Sequence, residues 1–132
     1  MQLLTKDILS SLTSQAKVSE RLRKNYNLHE SLEDQVHRMF NAMEPGTVVP
    51  IHRHRSSDET IIVVSGAVRA IIYDDNKEIV EDVVLRAGSD TFGIDIKKGE
   101  WHKCESQETG TVMFEVKGGP YVPIGEEDMM IW

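Results

Sequence analysis

Two histidines and a nearby glutamate have the types and spacing needed for metal chemistry. His52 and His54 are separated by one residue, and Glu59 follows them after a four-residue gap. Residues two apart on a β-strand point to the same face, so both imidazoles would point toward one place. Neutral imidazoles bind borderline divalent metals, and a hairpin would return Glu59 beside them as an anionic ligand. The spacing therefore predicts a metal site, although an isolated His-x-His pair is often two exposed strand histidines.

A fourth ligand has to come from another part of the chain, and His102 is the best candidate. The segment at residues 98–102, Lys-Gly-Glu-Trp-His, places a turn directly before a histidine at the expected start of a strand. Cys104 follows two residues later and would share the face of His102, but such a thiol is more often a small core residue than a ligand. The predicted metal ligands are thus His52, His54, Glu59 and His102.

The elements that must position these residues are short strands separated by turn signals. Segments rich in β-branched and aromatic residues alternate with clusters such as Pro45-Gly46 and Asp74-Asp75-Asn76. Many short strands at regular spacing indicate an antiparallel sandwich or barrel. The predicted strands are Val36–Met43, Val48–Ile51, Thr60–Val64, Val68–Tyr73, Ile79–Leu85 and Thr111–Val116.

The N-terminal part has a helical pattern instead. Leu4, Ile8 and Leu12 recur every four residues, and Thr5 is a suitable N-cap. Residues 19–24 predict a second, shorter helix. The expected architecture is all-β: one domain in which a barrel (residues 31–132) carries a short helical N-terminal extension (residues 1–30) packed on it.

Composition and charge narrow the classes of function. The chain has 132 residues, of which 39% are hydrophobic and 28% charged, as is typical of one soluble globular domain. A net charge of −7 repels nucleic acid and anionic membranes, so we expect neither as a partner. The longest apolar run is too short to span a bilayer, the first residues do not resemble a signal peptide, and Cys104 is the only cysteine. These features favour a cytoplasmic protein.

The segment from Gly46 to Gly66 resembles the first cupin motif, G-x5-H-x-H-x4-E-x6-G, at every defined position. The second motif, G-x5-P-x-G-x2-H-x3-N, is matched only by Gly99 and His102. Thr91, Lys97 and Ser106 stand in place of its first glycine, its proline and its asparagine. The resemblance implies a cupin barrel, also called a double-stranded β-helix or jelly roll, with one divalent metal ion on the four predicted ligands.

A narrower resemblance covers most of the chain. It is similar to the WbuC family of cupin-fold metalloproteins, which is found among bacterial surface-polysaccharide genes. The matching stretches are SERLRKN (19–25), His29, VHRMFNAMEPG (36–46) and FEVKGGPYVP (114–123), and they stand in the family's order and spacing. The family implies a cupin barrel and a bound metal, with no settled reaction.

The same resemblance implies a binding site for an anionic group of the substrate at Arg23, His29 and Arg38. Arg38 lies in an apolar strand segment, where a buried guanidinium would need an anionic partner. His37 alternates with it and is expected at the surface. The alternative for these arginines is a solvated helix face plus one strand arginine.

The predicted ligand set leaves the metal and the reaction open. Three nitrogens and one carboxylate suit zinc, iron, manganese or nickel better than calcium or magnesium. An octahedral ion would keep two positions free, whereas tetrahedral zinc would be closed. Three functions follow: a metal-dependent isomerase or epimerase of a sugar or sugar nucleotide, which the polysaccharide association favours, an iron-dependent dioxygenase, or a non-catalytic metal-dependent binding module. In each of these three functions the protein binds a small molecule, and an anionic sugar is one candidate. We also expect a homodimer, because cupins commonly pair through their sheets.

Overall fold

The computed structural model describes residues 1–130 of the chain. Within that range, one α-helix precedes ten short strands, and a 3₁₀ turn at Glu126–Asp128 comes directly before the last strand. The elements are α1 Lys6–Val18, β1 Arg23–Asn27, β2 Val36–Met43, β3 Ile51–His52, β4 Glu59–Ser65, β5 Ala67–Tyr73, β6 Ile79–Arg86, β7 Gly93–Ile96, β8 Trp101–Ser106, β9 Val112–Gly118 and β10 Met129–Met130.

The strands form two five-stranded antiparallel sheets. Their orders are β1-β2-β9-β4-β7 and β10-β3-β8-β5-β6. From β2 onward the chain crosses between the sheets at almost every connection, which is the arrangement of a jelly roll. Inward side chains of both sheets pack into one core, as Met43, Ile61, Val68, Leu85 and Met113 illustrate. The prediction of an all-β barrel with a short N-terminal helix is confirmed.

The predicted strands form where the sequence alternates or runs apolar. The segment 36–43 forms with the predicted bounds, and the segments 60–64, 68–73, 79–85 and 111–116 form with ends shifted by at most two residues. The segment 48–51 contributes only its last residue, in β3. β1, β7 and β10 were not predicted, because β1 is mostly polar and β7 and β10 contain only four and two residues. Their extended conformation comes from pairing with a neighbouring strand rather than from their own residues.

The first predicted helix is confirmed as α1, which begins after Thr5. Leu12 and Ala16 are its buried residues, and they pack against Phe40 and Ala42 on the outer face of β2. α1 therefore covers one sheet from outside. No helix within residues 1–130 is long and apolar enough to cross a membrane.

The predicted second helix over residues 19–24 is wrong. Leu22 has a φ of 56°, a left-handed conformation through which an α-helix cannot continue. Its carbonyl oxygen accepts hydrogen bonds from the backbone N–H of Glu44 and the hydroxyl of Thr47. These contacts with the loop after β2 turn the chain, so that Arg23 starts a strand that pairs with β2.

Candidate metal centre

The three histidines of the predicted site lie together on the sheet that contains β3 and β8. His52 ends β3 and pairs directly with His102 of β8, and their ring centroids are 4.4 Å apart. His54 lies two residues beyond the end of β3, with its ring centroid 5.0 Å from that of His52 and 5.6 Å from that of His102. The potential ligand atoms of the three rings all lie within 4.8 Å of one another.

Glu59 brings a carboxylate to this cluster from the opposite sheet. It is the first residue of β4 and is 4% exposed. Its Oε2 lies 3.2 Å from Nε2 of His54, and its Oε1 lies 3.7 Å from Nε2 of His102. Burial alone would raise the pKa of Glu59, but its contacts with His102 and His54 outweigh this effect and hold the pKa below its usual value. The carboxylate is therefore ionised at neutral pH.

Backbone hydrogen bonds determine which nitrogen of two imidazoles faces the cluster. Nδ1 of His52 donates to the carbonyl of Pro50 at 2.8 Å, and Nδ1 of His102 donates to the carbonyl of Glu100 at 2.9 Å. Because a carbonyl can only accept, Nδ1 carries the proton and Nε2 keeps its lone pair. Burial lowers the pKa of His52 to about 4, so this ring is neutral at pH 7.

The Nε2 atoms of His54 and His102 are buried and have no hydrogen-bond partner among the described residues. Both nevertheless face the ionised carboxylate of Glu59. Ring nitrogens and a carboxylate that converge in a buried place repel one another unless a proton or a metal cation lies between them. Imidazoles held through Nδ1 by backbone carbonyls are the usual ligands of divalent transition metals, and a carboxylate completes a common donor set. The residues present therefore fit a divalent metal ion.

The cluster opens into a cavity of about 300 Å³. Arg21, Arg23 and Lys117 place three positive charges in its wall, whereas Glu59 and Glu115 place two negative charges there. The wall thus has an excess of positive charge, although the chain as a whole carries −7. Because a cleft of one sign concentrates ligands of the opposite sign, this cavity favours anions.

Polar side chains on the far side of the cavity are incompletely paired. The guanidinium of Arg23 is partly buried and makes no hydrogen bond or ion pair within residues 1–130. Burial lowers its pKa, and the nearby carboxyl of Glu115 acts in the opposite direction. Asn41 is fully buried, and its Nδ2 donates to Oε2 of Glu115 at 3.3 Å, while its Oδ1 has no partner among the described residues. Burial, with a smaller effect from Glu59, raises the pKa of Glu115 to about 7.

The structure separates His29 and Arg38 from this cavity, which neither of them lines among the described residues. Arg38 is exposed, so the expectation of a buried guanidinium is wrong. His37, expected at the surface, is 1% exposed and stacks on His29 with ring centroids 4.1 Å apart. The physical reason is that β2 is covered on both faces, by the barrel interior and by α1. Its apolar residues therefore do not reveal which alternate positions point inward. Of the three predicted anion-binding residues, only Arg23 lies in the cavity wall.

Asn41, Glu115 and Lys117 are cavity residues that sequence reasoning missed. On β9, Glu115 pairs with Ile61, and Lys117 pairs with Glu59. Directly opposed residues of antiparallel strands share a face, so this register places both charged side chains inside the barrel. The available signal was the alternation of charged and apolar residues along β9. Alone, that pattern is equally typical of a strand whose charges face water.

Arg53 and Arg55 alternate with His52 and His54 along the chain and point to the other side. Nε of Arg53 and Nε of Arg55 lie 2.8 and 2.6 Å from Oδ1 of Asp128. The guanidinium of Arg53 also lies 4.3 Å above the ring of Trp101. These contacts hold the C-terminal segment beside β3, where β10 pairs with it and Met129 lines the cavity.

Solved structures with a similar fold span several kinds of protein. KdgF from Halomonas sp. is 15% identical with a TM-score of 0.61, over 80% of this chain and 84% of that chain. A conserved protein of unknown function from Streptococcus pyogenes is 15% identical with a TM-score of 0.63, over 92% of this chain and 90% of that chain. Oxalate oxidase in complex with the substrate analogue glycolate is 16% identical with a TM-score of 0.62, over 83% of this chain and 57% of that chain. These neighbours show that the chain has the cupin fold.

Comparison with curated proteins gives no match. The narrower resemblance to the WbuC family stays a prediction. One family model, described as a domain of unknown function, matches residues 4–85, a range that contains His52, His54 and Glu59 but ends before His102. Because the match covers more than half of the chain, the protein belongs to this family, DUF6016.

Proposed function

We propose that this chain is a metal-dependent isomerase or epimerase of a sugar or sugar nucleotide. One divalent transition-metal ion would be held by His52, His54, Glu59 and His102. The observation that carries the proposal is the convergence of unpartnered imidazole nitrogens on an ionised carboxylate at the wall of a cavity. The positive wall supports an anionic sugar as the ligand.

The bound ion would supply Lewis-acid stabilisation of the negative charge that develops on a carbonyl oxygen. The proton transfers of the reaction fall to residues of the chain. Glu115 has its carboxyl in the cavity, and its pKa of about 7 suits proton exchange at neutral pH. The Nδ2 of Asn41 orients this carboxyl. Nζ of Lys117 lies 4.0 Å from Oε2 of Glu59 and can donate a hydrogen bond to a substrate oxygen beside it.

Metal content tests the first half of the proposal. Protein purified without added metal should contain one equivalent of zinc, iron, manganese or nickel by plasma mass spectrometry. His102→Gln and Glu59→Gln should lower the affinity for that metal by at least about tenfold. Glu81→Gln is the matched control, because Glu81 is exposed on β6 and the substitution removes the same charge. Equal metal content in all four proteins would contradict the proposed ligand set.

Proton exchange tests the second half. The metal-loaded protein is incubated with a panel of aldoses, ketoses and sugar acids in D₂O, and NMR detects deuterium at the carbon next to the carbonyl. We expect exchange with at least one member, and we expect Glu115→Gln to stop it while the metal stays bound. Glu81→Gln again serves as the control. Oxygen uptake restored by ferrous iron would favour the dioxygenase instead, and tight binding without turnover would favour the binding module.

The homodimer and the cytoplasmic location are further proposals from the sequence. Light scattering on the purified protein measures the first. A mass of twice 15.0 kDa is expected.

A further inference from the structure

The size of the cavity limits what the chain can enclose. Cavities that bind small molecules range over about 300–1,000 Å³. At about 300 Å³, this one lies at the lower limit. It has room for a molecule of the size of a monosaccharide, and a nucleotide attached to such a sugar would have to remain outside.

Arg23 is a partly buried cation of this cavity that has no ion pair among the described residues, whereas Arg21, which also lines the cavity, is exposed. Arg23 lies on β1, pairs with Met43 of β2 and reaches inward, whereas its neighbour Lys24 is exposed on the same strand. A partly buried guanidinium loses hydration, and within the described residues no carboxylate forms an ion pair with it. Its planar fork of donors fits a carboxylate or a phosphate.

Glu115 favours a carboxylate over a phosphate. Of the two acidic side chains that line the cavity, Glu59 and Glu115, it has the larger electrostatic effect on Arg23. A phosphate monoester would place close to two negative charges beside this carboxyl, whereas a carboxylate places one. Arg21 also lines the cavity, but its side chain is exposed. The partly buried guanidinium of Arg23, next to an acid, therefore suits a monoanion.

Asn41 adds a requirement for a hydroxyl group. Its Nδ2 is engaged with Glu115, and its Oδ1 is a buried acceptor without a partner among the described residues. Buried acceptors are nearly always satisfied, so a donor is expected to complete this one. A ligand hydroxyl can donate to Oδ1, whereas a carboxylate or a carbonyl cannot.

We infer that the cavity recognises a small hydroxy-carboxylate of the size of a sugar acid. Its carboxylate binds Arg23, and one of its hydroxyls donates to Oδ1 of Asn41. The remaining oxygens are directed toward the metal ligands on the opposite wall. The inference rests on the proposed metal site, and it narrows the proposed substrate from sugars in general to sugar acids.

Calorimetric titration of zinc-loaded protein with D-gluconate tests the inference. The matched neutral probe is D-glucitol, which has the same carbon chain with an alcohol in place of the carboxylate. We expect D-gluconate to bind at least tenfold more tightly. Arg23→Gln should remove this preference, while Lys24→Gln, which makes the same charge change on the opposite face of β1, should keep it. Asn41→Ala should weaken the binding of both probes.

Metal content is measured in every sample, so failure of the metal site and failure of the inference can be told apart. If zinc binds and D-gluconate binds no better than D-glucitol, or if Arg23→Gln keeps the preference, the inference is wrong while the metal site stands. If the chain binds none of zinc, iron, manganese and nickel, the proposed function fails, and the same comparison on metal-free protein still decides whether Arg23 selects the acid. If circular dichroism shows that Asn41→Ala does not fold, the binding of the two probes to the parent protein and to Arg23→Gln decides whether the inference holds.

Discussion

Gly66, which joins β4 to β5, should be a position where even one methyl group is strongly destabilising. Its φ is +73°, and a Cβ added there would lie 2.4 Å from Oγ1 and 2.8 Å from Cα of Thr111. Both distances are far shorter than van der Waals contact. Gly88 has the same φ of +73°, yet a Cβ there would meet no atom within 4 Å. The two glycines therefore separate the conformational effect of alanine from its steric effect.

The magnitudes follow from these environments. An L-residue in the left-handed region costs about 1–2 kcal/mol, so Gly88→Ala should lower the free energy of unfolding by that amount. Gly66→Ala should lower the free energy of unfolding by about 1–3 kcal/mol more than Gly88→Ala does, because Thr111 is 1% exposed and has no space to move into. Its hydroxyl donates to the carbonyl of Glu108 at 2.7 Å and contacts Ala67, and a shift of Thr111 would strain these bonds.

Urea unfolding of metal-free protein, followed by circular dichroism, measures both variants. Chelator is present throughout, because a metal bound to the native state alone would raise the apparent stability. We expect both variants to keep the dependence on urea concentration of the parent, and we expect Gly66→Ala to unfold at a clearly lower concentration than Gly88→Ala. A difference below about 0.5 kcal/mol would refute the steric argument, since variation of that size is common at sites without a defined mechanism.

Three further predictions depend on single positions. Leu85 is fully buried, so Leu85→Ala should lower the free energy of unfolding by about 2–5 kcal/mol. Its neighbour Val84 is exposed, and Val84→Ala should lower this free energy by less than about 1 kcal/mol. Equal urea midpoints for the two variants would contradict the placement of Leu85 in the core. In metal-free protein, His52 should contribute a loss of stability as the pH falls from 6.5 toward 4, because it stays neutral in the native state with a pKa of about 4 while the unfolded chain takes up a proton. Glu115 acts in the opposite direction, because its raised pKa of about 7 lets the native state take up a proton before the unfolded chain does. Urea titrations at several pH values should therefore show His52→Gln gaining stability relative to the parent as the pH falls, and a difference independent of pH would contradict the burial of the ring. Asp128→Asn should speed limited proteolysis near residues 125–130 and weaken metal binding severalfold, and unchanged cleavage and affinity would argue against its anchoring role.

The proximity of the four proposed metal ligands could be predicted from the sequence because the information for it is mostly local. His52, His54 and Glu59 lie within one strand end, one loop and one strand start, and the motif from Gly46 to Gly66 sets that spacing. His102 could be predicted from the turn that directly precedes it in the sequence. The rule that residues two apart share a face predicted the proximity of His52 and His54. The predicted hairpin is wrong, because β3 and β4 lie in different sheets and Glu59 reaches the histidines from the opposite sheet.

The far wall of the cavity could not be predicted in the same way, because its positions depend on register between strands distant in sequence. Glu115 faces inward since β9 pairs with β4 in a register that opposes it to Ile61. Arg38 shares the outer face of β2 with Phe40 and Ala42, but it is exposed, whereas those two residues pack against α1. In both cases a shift of one residue would exchange the two faces, and a strand covered on both sides carries no pattern that fixes the choice.

The contacts of Arg53 and Arg55 explain how a short, partly irregular segment can hold two of the proposed ligands in place. β3 contains only two residues, and His54 lies beyond its end, so strand pairing alone does not fix the backbone there. Because the two arginines alternate with the histidines, their ion pairs with Asp128 hold the segment from the opposite side, and the stacking of Arg53 on Trp101 ties it to the strand of His102. Metal ligands need orientation as well as proximity, and groups that contact the supporting backbone supply it. A surface ion pair of this kind adds little to global stability. Its effect should therefore appear first in metal affinity, which is why Asp128→Asn is tested by metal binding as well as by proteolysis.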